Sequence, residues 1–257
     1  PPLPALDIRQ QCAGFAYGLQ AVDALIRSGI AKTVLLVGCD VHTSLMPFSQ
    51  RTWAVLEGRE EGPISAEEFA WNSRFRHLLV LFGDGAGAVV VSATDEDRGI
   101  RGTYLGADGR FADVLSQRVW DIKKRPFVKL AENGVGQVPP DDLWARMDGK
   151  QVFRNAVERM IGVLMQACAD QGLTRDDIDL FFFHQANLRI NQYIAQQIGI
   201  TEDKLVSNIQ RYGNTTAATI PILLAEAEQS GRLKRGMKVA MVAFGSGFTW
   251  GAAIVDW

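Results

Sequence analysis

Two stretches of this 257-residue chain close in the same order: a helix-like segment, an apolar strand, a glycine-rich turn and a last strand. In the first, Ala13–Ser28 carries Phe15, Leu19, Val22 and Ile26 at spacings of three and four, and Gly29 ends it. Thr33–Cys39 then reads as a buried strand, and Leu78–Phe82, GDGAGA (Gly83–Ala88) and Val89–Ser92 as strand, turn and strand. The second stretch runs from a helix at Thr215–Gln229, stopped by Gly231, through a strand at Val239–Phe244. It finishes with the turn GSGFTWG (Gly245–Gly251) and the strand Ala252–Val255. Alternating helices and strands predict an α/β fold of two related halves. The polar run Thr94–Arg98 separates them, giving units 1–97 and 98–257.

The second half also shows a strand at Gly99–Leu105, an amphipathic helix at Val152–Cys168, a strand at Leu180–Phe183 and a helix at Leu188–Ile198. Two stretches, 41–76 and 111–146, are loop-rich and longer than a connection needs, the latter broken by Pro139-Pro140. The second unit has roughly 110 residues before its final helix. The first has only eleven before Cys12, and the chain opens on Pro1 rather than Met. About 90–100 residues of the first unit are therefore expected to lie outside this chain, trimmed or carried by a companion fragment.

Apolar residues make up 47% and charged residues 22%, an ordinary globular balance. With 27 basic against 29 acidic side chains, the net charge of −2 provides no broad positive field for nucleic acid and no acidic tail. The longest apolar runs fall far short of a membrane span, and no signal peptide opens the chain. Cys12, Cys39 and Cys168 are odd in number and lack metal-binding spacing. They argue against a disulfide framework or a structural zinc and for a reducing, cytoplasmic home.

Cys12 stands at the start of a helix, where unpaired N–H groups and the dipole favour a thiolate; a free cysteine is also often a buried small hydrophobe. Cys39, in a strand, and Cys168, on an apolar helix face, read as core. His184 follows an apolar strand, and the carboxyl ends of strands are where α/β active sites gather; a hydrogen-bonded loop histidine is the plainer reading. Asn214 lies in RYGNTTAATIP, where Asn and Thr also serve as helix caps. GDGAGA is no dinucleotide loop, because Val89-Val90-Val91 follows it rather than a helix. Both glycine runs read as turns between strands, the second able to bring N–H groups to a reacting carbonyl. Lys123-Lys124-Arg125 reads as solvated surface, and Arg154, Arg189, Lys234 and Arg235 as surface or a docking rim for a phosphate-bearing partner.

Six blocks in order, CAGFAYGL (Cys12–Leu19), LFGDGAGAVV (Leu81–Val90), MDGKQVF (Met147–Phe153), HQANLRI (His184–Ile190), RYGNTTAATIP (Arg211–Pro221) and AFGSGFTWG (Ala243–Gly251), resemble the beta-ketoacyl-acyl-carrier-protein synthase III family of thiolase-like condensing enzymes. The resemblance implies a five-layer αβαβα fold of two pseudo-repeated halves, the first lacking its amino-terminal portion here. It also implies a Cys-His-Asn triad at Cys12, His184 and Asn214, with backbone N–H groups of Cys12 and Ser246 as oxyanion hole. Arg76, Phe153, Arg154, Asn187 and Arg189 would line the pantetheine and carrier-protein entrance.

The implied activity is that of an acyltransferase of fatty-acid or related lipid biosynthesis. An acyl-CoA loads the cysteine, and a malonyl thioester condenses with it, losing CO2, to a 3-oxoacyl product. GSGFTWG lacks the second cysteine with which thiolases remove a proton, which favours decarboxylation. No metal or redox cofactor is implied. Implied partners are acyl-CoA, an acyl carrier protein and a second copy in a homodimer, joined partly near Leu6–Arg9; neither nucleic acid nor a membrane is implied. The alternative is a specialised acyltransferase of secondary metabolism that moves the acyl group to another acceptor without decarboxylation. A papain-like hydrolase lacks support, since no tryptophan follows the cysteine, and a non-catalytic interaction subunit would show no special thiol reactivity.

Overall fold

The computed structural model describes residues 3–43, 46, 48–74, 76, 80–116 and 146–257. Most of the expected insertion 111–146, with Lys123-Lys124-Arg125 and Pro139-Pro140, lies outside the described residues, as do Leu78 and Leu79 of the expected strand Leu78–Phe82. In chain order the first part contains helix α1 (Gly14–Arg27), strand β1 (Thr33–Asp40), helices α2 (Gln50–Leu56) and α3 (Ala66–Arg74) and strand β2 (Gly85–Ser92). Then come β3 (Gly99–Ala107), the short pair β4 (Leu115–Ser116) and β5 (Arg146–Met147), the long helix α4 (Gly149–Asp170), β6 (Leu180–Phe183), α5 (Leu188–Ile198) and β7 (Leu205–Val206). The one-turn helix α6 (Ile209–Tyr212), α7 (Thr219–Gln229), β8 (Lys238–Gly245) and β9 (Thr249–Asp256) complete the chain.

A mixed five-stranded sheet in the order β3-β9-β8-β6-β7 is built entirely from strands between residues 99 and 256. β6 runs parallel to β7 and β8, while β9 is antiparallel to β8 and β3. β6, β8 and β9 are buried almost throughout, because both sheet faces are covered. On one face Met160, Leu164 and Cys168 of α4 and Ile190 and Ile194 of α5 pack against Phe181, Phe183 and Val242. On the other, Phe15 and Leu19 of α1 and Leu223 and Leu224 of α7 pack against Phe182, Met241 and Ala253. α1 and α7 also carry the antiparallel pair β1–β2 on their far side. The described layers thus run α4/α5, five-stranded sheet, α1/α7, β1–β2, an α/β stack with α1 and α7 between two sheets.

Several elements differ from the sequence expectation. GDGAGA is not a turn: Gly85 to Ser92 is one continuous strand. Its glycines answer a packing demand, since a Cβ on Gly87 would sit 2.9 Å from the Ile222 nitrogen and 3.0 Å from the Pro221 Cβ, and one on Gly85 2.9 Å from Thr215. Residues 80–81 turn rather than extend, and Phe82 makes an isolated parallel bridge to Asn214. The turn in GSGFTWG is confined to 246–248, for Thr249–Gly251 already belong to β9. The 41–76 stretch holds α2 and α3, with α2 capped by the Ser49 side chain accepting from the Thr52 N–H. Residues 3–10 form no regular element.

Cys168 is buried as expected, but Cys39 is exposed. It lies on the outer face of β1–β2 with Leu35, Val37 and Val90, which nothing among the described residues covers. Alternation of side chains then puts every second residue of β1 in the open.

Candidate active site

Three loops converge between the layers. Cys12 lies in a single 3-10 turn, Gln11–Ala13, that leads directly into α1. Ala13, Phe15 and Leu19 anchor that helix in the core beneath it. His184 is the residue after β6, and Asn214 lies between α6 and the 3-10 turn Thr216–Ala218 that opens α7. Cys12, His184 and Asn214 all line one cavity of about 640 Å³, and all three are buried. A cavity of this size has the volume of an ordinary small-molecule site.

Each side chain is held by named contacts. The His184 N–H donates to the Val242 carbonyl (2.8 Å), so the ring leaves the sheet at a fixed point. Its Nδ1 lies 2.8 Å from the Thr219 hydroxyl, and its buried Nε2 has no partner. Asn214 is clasped by main-chain bonds, its N–H to Leu81 and its carbonyl to the Gly83 N–H, 3.0 Å each. Its Oδ1 accepts from the Thr216 N–H at 2.9 Å. With Oδ1 used in this way, the carboxamide NH2 is the group left for a ligand. The backbone of Gly245 lies against the nucleophile turn: a Cβ there would stand 3.0 Å from the Ala13 nitrogen and 3.1 Å from that of Cys12. Glycine is required for that approach. Ser246, next in the chain, lines the cavity.

Asp40, at the end of β1, is a residue the sequence reading missed. It accepts from the Thr216 hydroxyl and from the Ala217 N–H (3.3 Å), bracing a turn in which Thr216 holds a positive φ of 45°. Such a φ costs a non-glycine residue about 1 kcal/mol and persists where neighbours enforce it. The rule that strand ends carry function, applied to His184, would have found Asp40 and His42 equally.

Burial dominates the electrostatics. It pushes the Cys12 thiol up to about 12, with the Asp40 carboxylate adding to the rise; the Cys12 backbone N–H and Asn214 pull the other way. This reverses the expectation of a favoured thiolate, because desolvation of the buried sulfur outweighs the helix-terminus N–H groups. Burial also pushes His184 down to about 3, against a hydrogen bond with the Thr216 backbone. The resting pair is a neutral thiol and a neutral imidazole. Removing the Asp40 charge lowers the thiol pKa, so Asp40→Asn is expected to speed alkylation of Cys12 by iodoacetamide several-fold at pH 7–8. A pH–rate profile checks this; a variant profile superimposed on the wild type contradicts it.

Among the expected entrance residues, Phe153 and Asn187 line the cavity. Arg76, Arg154 and Arg189 are exposed and do not line it; Arg154 and Arg189 lie on the solvent-facing sides of α4 and α5. His42 does line it.

Comparison with known proteins finds relatives over nearly the whole chain. The family model described as 3-oxoacyl-[acyl-carrier-protein (ACP)] synthase III matches residues 6–58 and 64–109, and that of its C-terminal part matches 168–257. The beta-ketoacyl-[acyl-carrier-protein] synthase III of Clostridium tetani is 36% identical over 98% of this chain and 68% of its own length. That of Rhodospirillum rubrum is 37% identical over 99% and 68%. Among solved structures, the synthase III of Thermus thermophilus superimposes with a TM-score of 0.76 at 34% identity, and that of Aquifex aeolicus with 0.75 at 32%. Each covers 98–99% of this chain, which spans 68% of theirs. The fold is therefore thiolase-like. Matches on both sides of the cavity, at this identity and over nearly every residue, show that the chain belongs to the 3-oxoacyl-[acyl-carrier-protein] synthase III family.

Proposed function

We propose that this enzyme primes 3-oxoacyl synthesis in fatty-acid biosynthesis, transferring an acyl group from acyl-CoA to Cys12 and condensing it with malonyl-ACP. The observation that carries this reading is the convergence of Cys12, His184 and Asn214 on one cavity. The Cys12 sulfur attacks the thioester carbonyl, the C–S bond to CoA breaks, and the thiol proton ends on the departing CoA sulfur. Backbone N–H groups of Cys12 and Ser246 receive the charge on the carbonyl oxygen. Malonyl-ACP then loses CO2, and the electron pair of the broken C–C bond becomes an enolate. That carbon attacks the acyl-cysteine and expels the Cys12 thiolate, which takes up a proton.

The Asn214 carboxamide NH2 donates to the enolate oxygen. His184 is neutral, and it is the second donor in the tautomer that carries its proton on the unpartnered Nε2; Nδ1 then accepts from the Thr219 hydroxyl in place of that hydroxyl's resting bond to the Thr216 carbonyl. Decarboxylation supplies the electrons for the new bond, so this chemistry needs no metal or redox cofactor. Phe153 and Asn187 form the pantetheine entrance, and Arg76, Arg154 and Arg189 act as outer carrier-protein contacts. A homodimer contact near Leu6–Arg9 draws support from exposed Leu6 and Ile8. A portion supplied by a companion segment would cover Leu35, Val37 and Val90, since α4 covers the corresponding face of β8–β9. Among the described residues no helix is long and apolar enough to cross a membrane, and a cytoplasmic location fits the substrates.

Incubation with acyl-CoA and ACP, with and without the malonyl group, tests the reaction. The 3-oxoacyl product and CO2 are expected in equal amounts and only with malonyl-ACP. Acyl transfer to another acceptor without malonyl-ACP would favour the alternative.

A further inference from the structure

The cavity contains a second imidazole that this chemistry does not use. His42 lies two residues beyond β1, on the wall contributed by the first unit, while Phe153 and Asn187 belong to the second. Its main-chain N–H donates to Asp84 Oδ1 at 2.6 Å, its Nδ1 lies 3.1 Å from the Gly83 carbonyl oxygen, and its ring stacks on Phe82 (centroids 4.6 Å apart, planes within 12°). A carbonyl only accepts, so Nδ1 carries the proton and Nε2 of the neutral ring is an acceptor. With Nδ1 and one ring face occupied, Nε2 is the polar atom of the His42 side chain left for a ligand. The wall beside it is apolar, from Val41, Met46, Leu81 and Phe82.

We propose that His42 Nε2 accepts a hydrogen bond from a hydroxyl on the acyl group, so that the enzyme selects hydroxylated short-chain acyl thioesters over unsubstituted ones. The inference rests on the acyl-cysteine reading and deepens it by naming the acyl class. A plain chain strips water from Nε2 and returns nothing, whereas a hydroxyl restores the bond; sites built around a polar group discriminate in this way. An anionic tail fits worse. The Asp84 carboxylate holds the His42 backbone, and the Asp40 carboxylate lines the same cavity. Among the described lining residues the one Lys or Arg side chain, Arg9, is paired with Asp7 at 3.1 Å.

The test follows loading of Cys12 in the full-length protein by intact mass, using 3-hydroxybutyryl-, 4-hydroxybutyryl-, butyryl- and succinyl-CoA. At least one hydroxylated donor is expected to load about tenfold faster than butyryl-CoA, with succinyl-CoA slowest. In His42→Leu the hydroxyacyl-to-butyryl ratio should fall to about one, while His42→Gln, which keeps an acceptor, should retain part of it. Because each ratio is taken within one variant, partial loss of folded protein cancels. Equal rates in the wild type, or an unchanged ratio in His42→Leu, overturn the proposal, and fastest loading by succinyl-CoA replaces it with an anion site. Failure of every acyl-CoA to load overturns instead the acyl-cysteine reading, and the proposal falls with it.

Discussion

Asn214→Ala is expected to leave acyl loading of Cys12 within a few-fold of the wild type while slowing condensation about 10²–10³-fold, the usual cost of one lost oxyanion donor. His184→Ala should divide the two half-reactions in the same direction. The division follows from where charge develops. During acylation the negative charge grows on an oxygen held by the backbone around Cys12 and Ser246, which neither substitution removes. During decarboxylation it grows on the enolate oxygen, which only the two side-chain donors serve. Burial strengthens both donors, because a buried hydrogen bond acts through a lower dielectric than that of water. The structure aligns them without the substrate: Oδ1 of Asn214 is fixed by the Thr216 N–H, and Nδ1 of His184 by Thr219. Loading read by intact mass, beside CO2 release from malonyl-ACP, measures the two steps separately. Equal loss of both in a folded variant would show that the donors serve acylation as well.

The elements that bury most were the most legible in the sequence. β6 and α5 fall where the apolar pattern put them, at Leu180–Phe183 and Leu188–Ile198, because strand and helix periods are unambiguous there. α7 begins at Thr219 rather than Thr215, since Asn214 and Thr216 hold a 3-10 turn that hydrophobic spacing does not encode. GDGAGA misled because glycine usually punctuates chains. Here the small residues let β2 lie on the Pro221–Ile222 backbone, a tertiary demand invisible to local pattern.

Within the site, Cys12, His184 and Asn214 were visible by residue type and position. The strand-end position of Asp40 was equally open to view, but its bracing role was not, since that comes from Thr216 and Ala217, some 176 positions away in the chain. The charge state of Cys12 was misjudged for a related reason: a helix start can be read from sequence, but the depth of burial that overrides it cannot.

Cys12→Ala should abolish covalent loading altogether, the largest effect expected of any single substitution, because no other group replaces the attacking sulfur. The remaining cysteines are elsewhere, Cys39 on an open strand face and Cys168 in the α4 core, and neither lines the cavity. Intact-mass analysis after exposure to acyl-CoA, followed by peptide mapping, reads the outcome directly. The account predicts one acyl group per chain, located on Cys12 and absent from Cys12→Ala. An adduct that survives in Cys12→Ala, or a wild-type protein that stays unmodified while forming product, would contradict it.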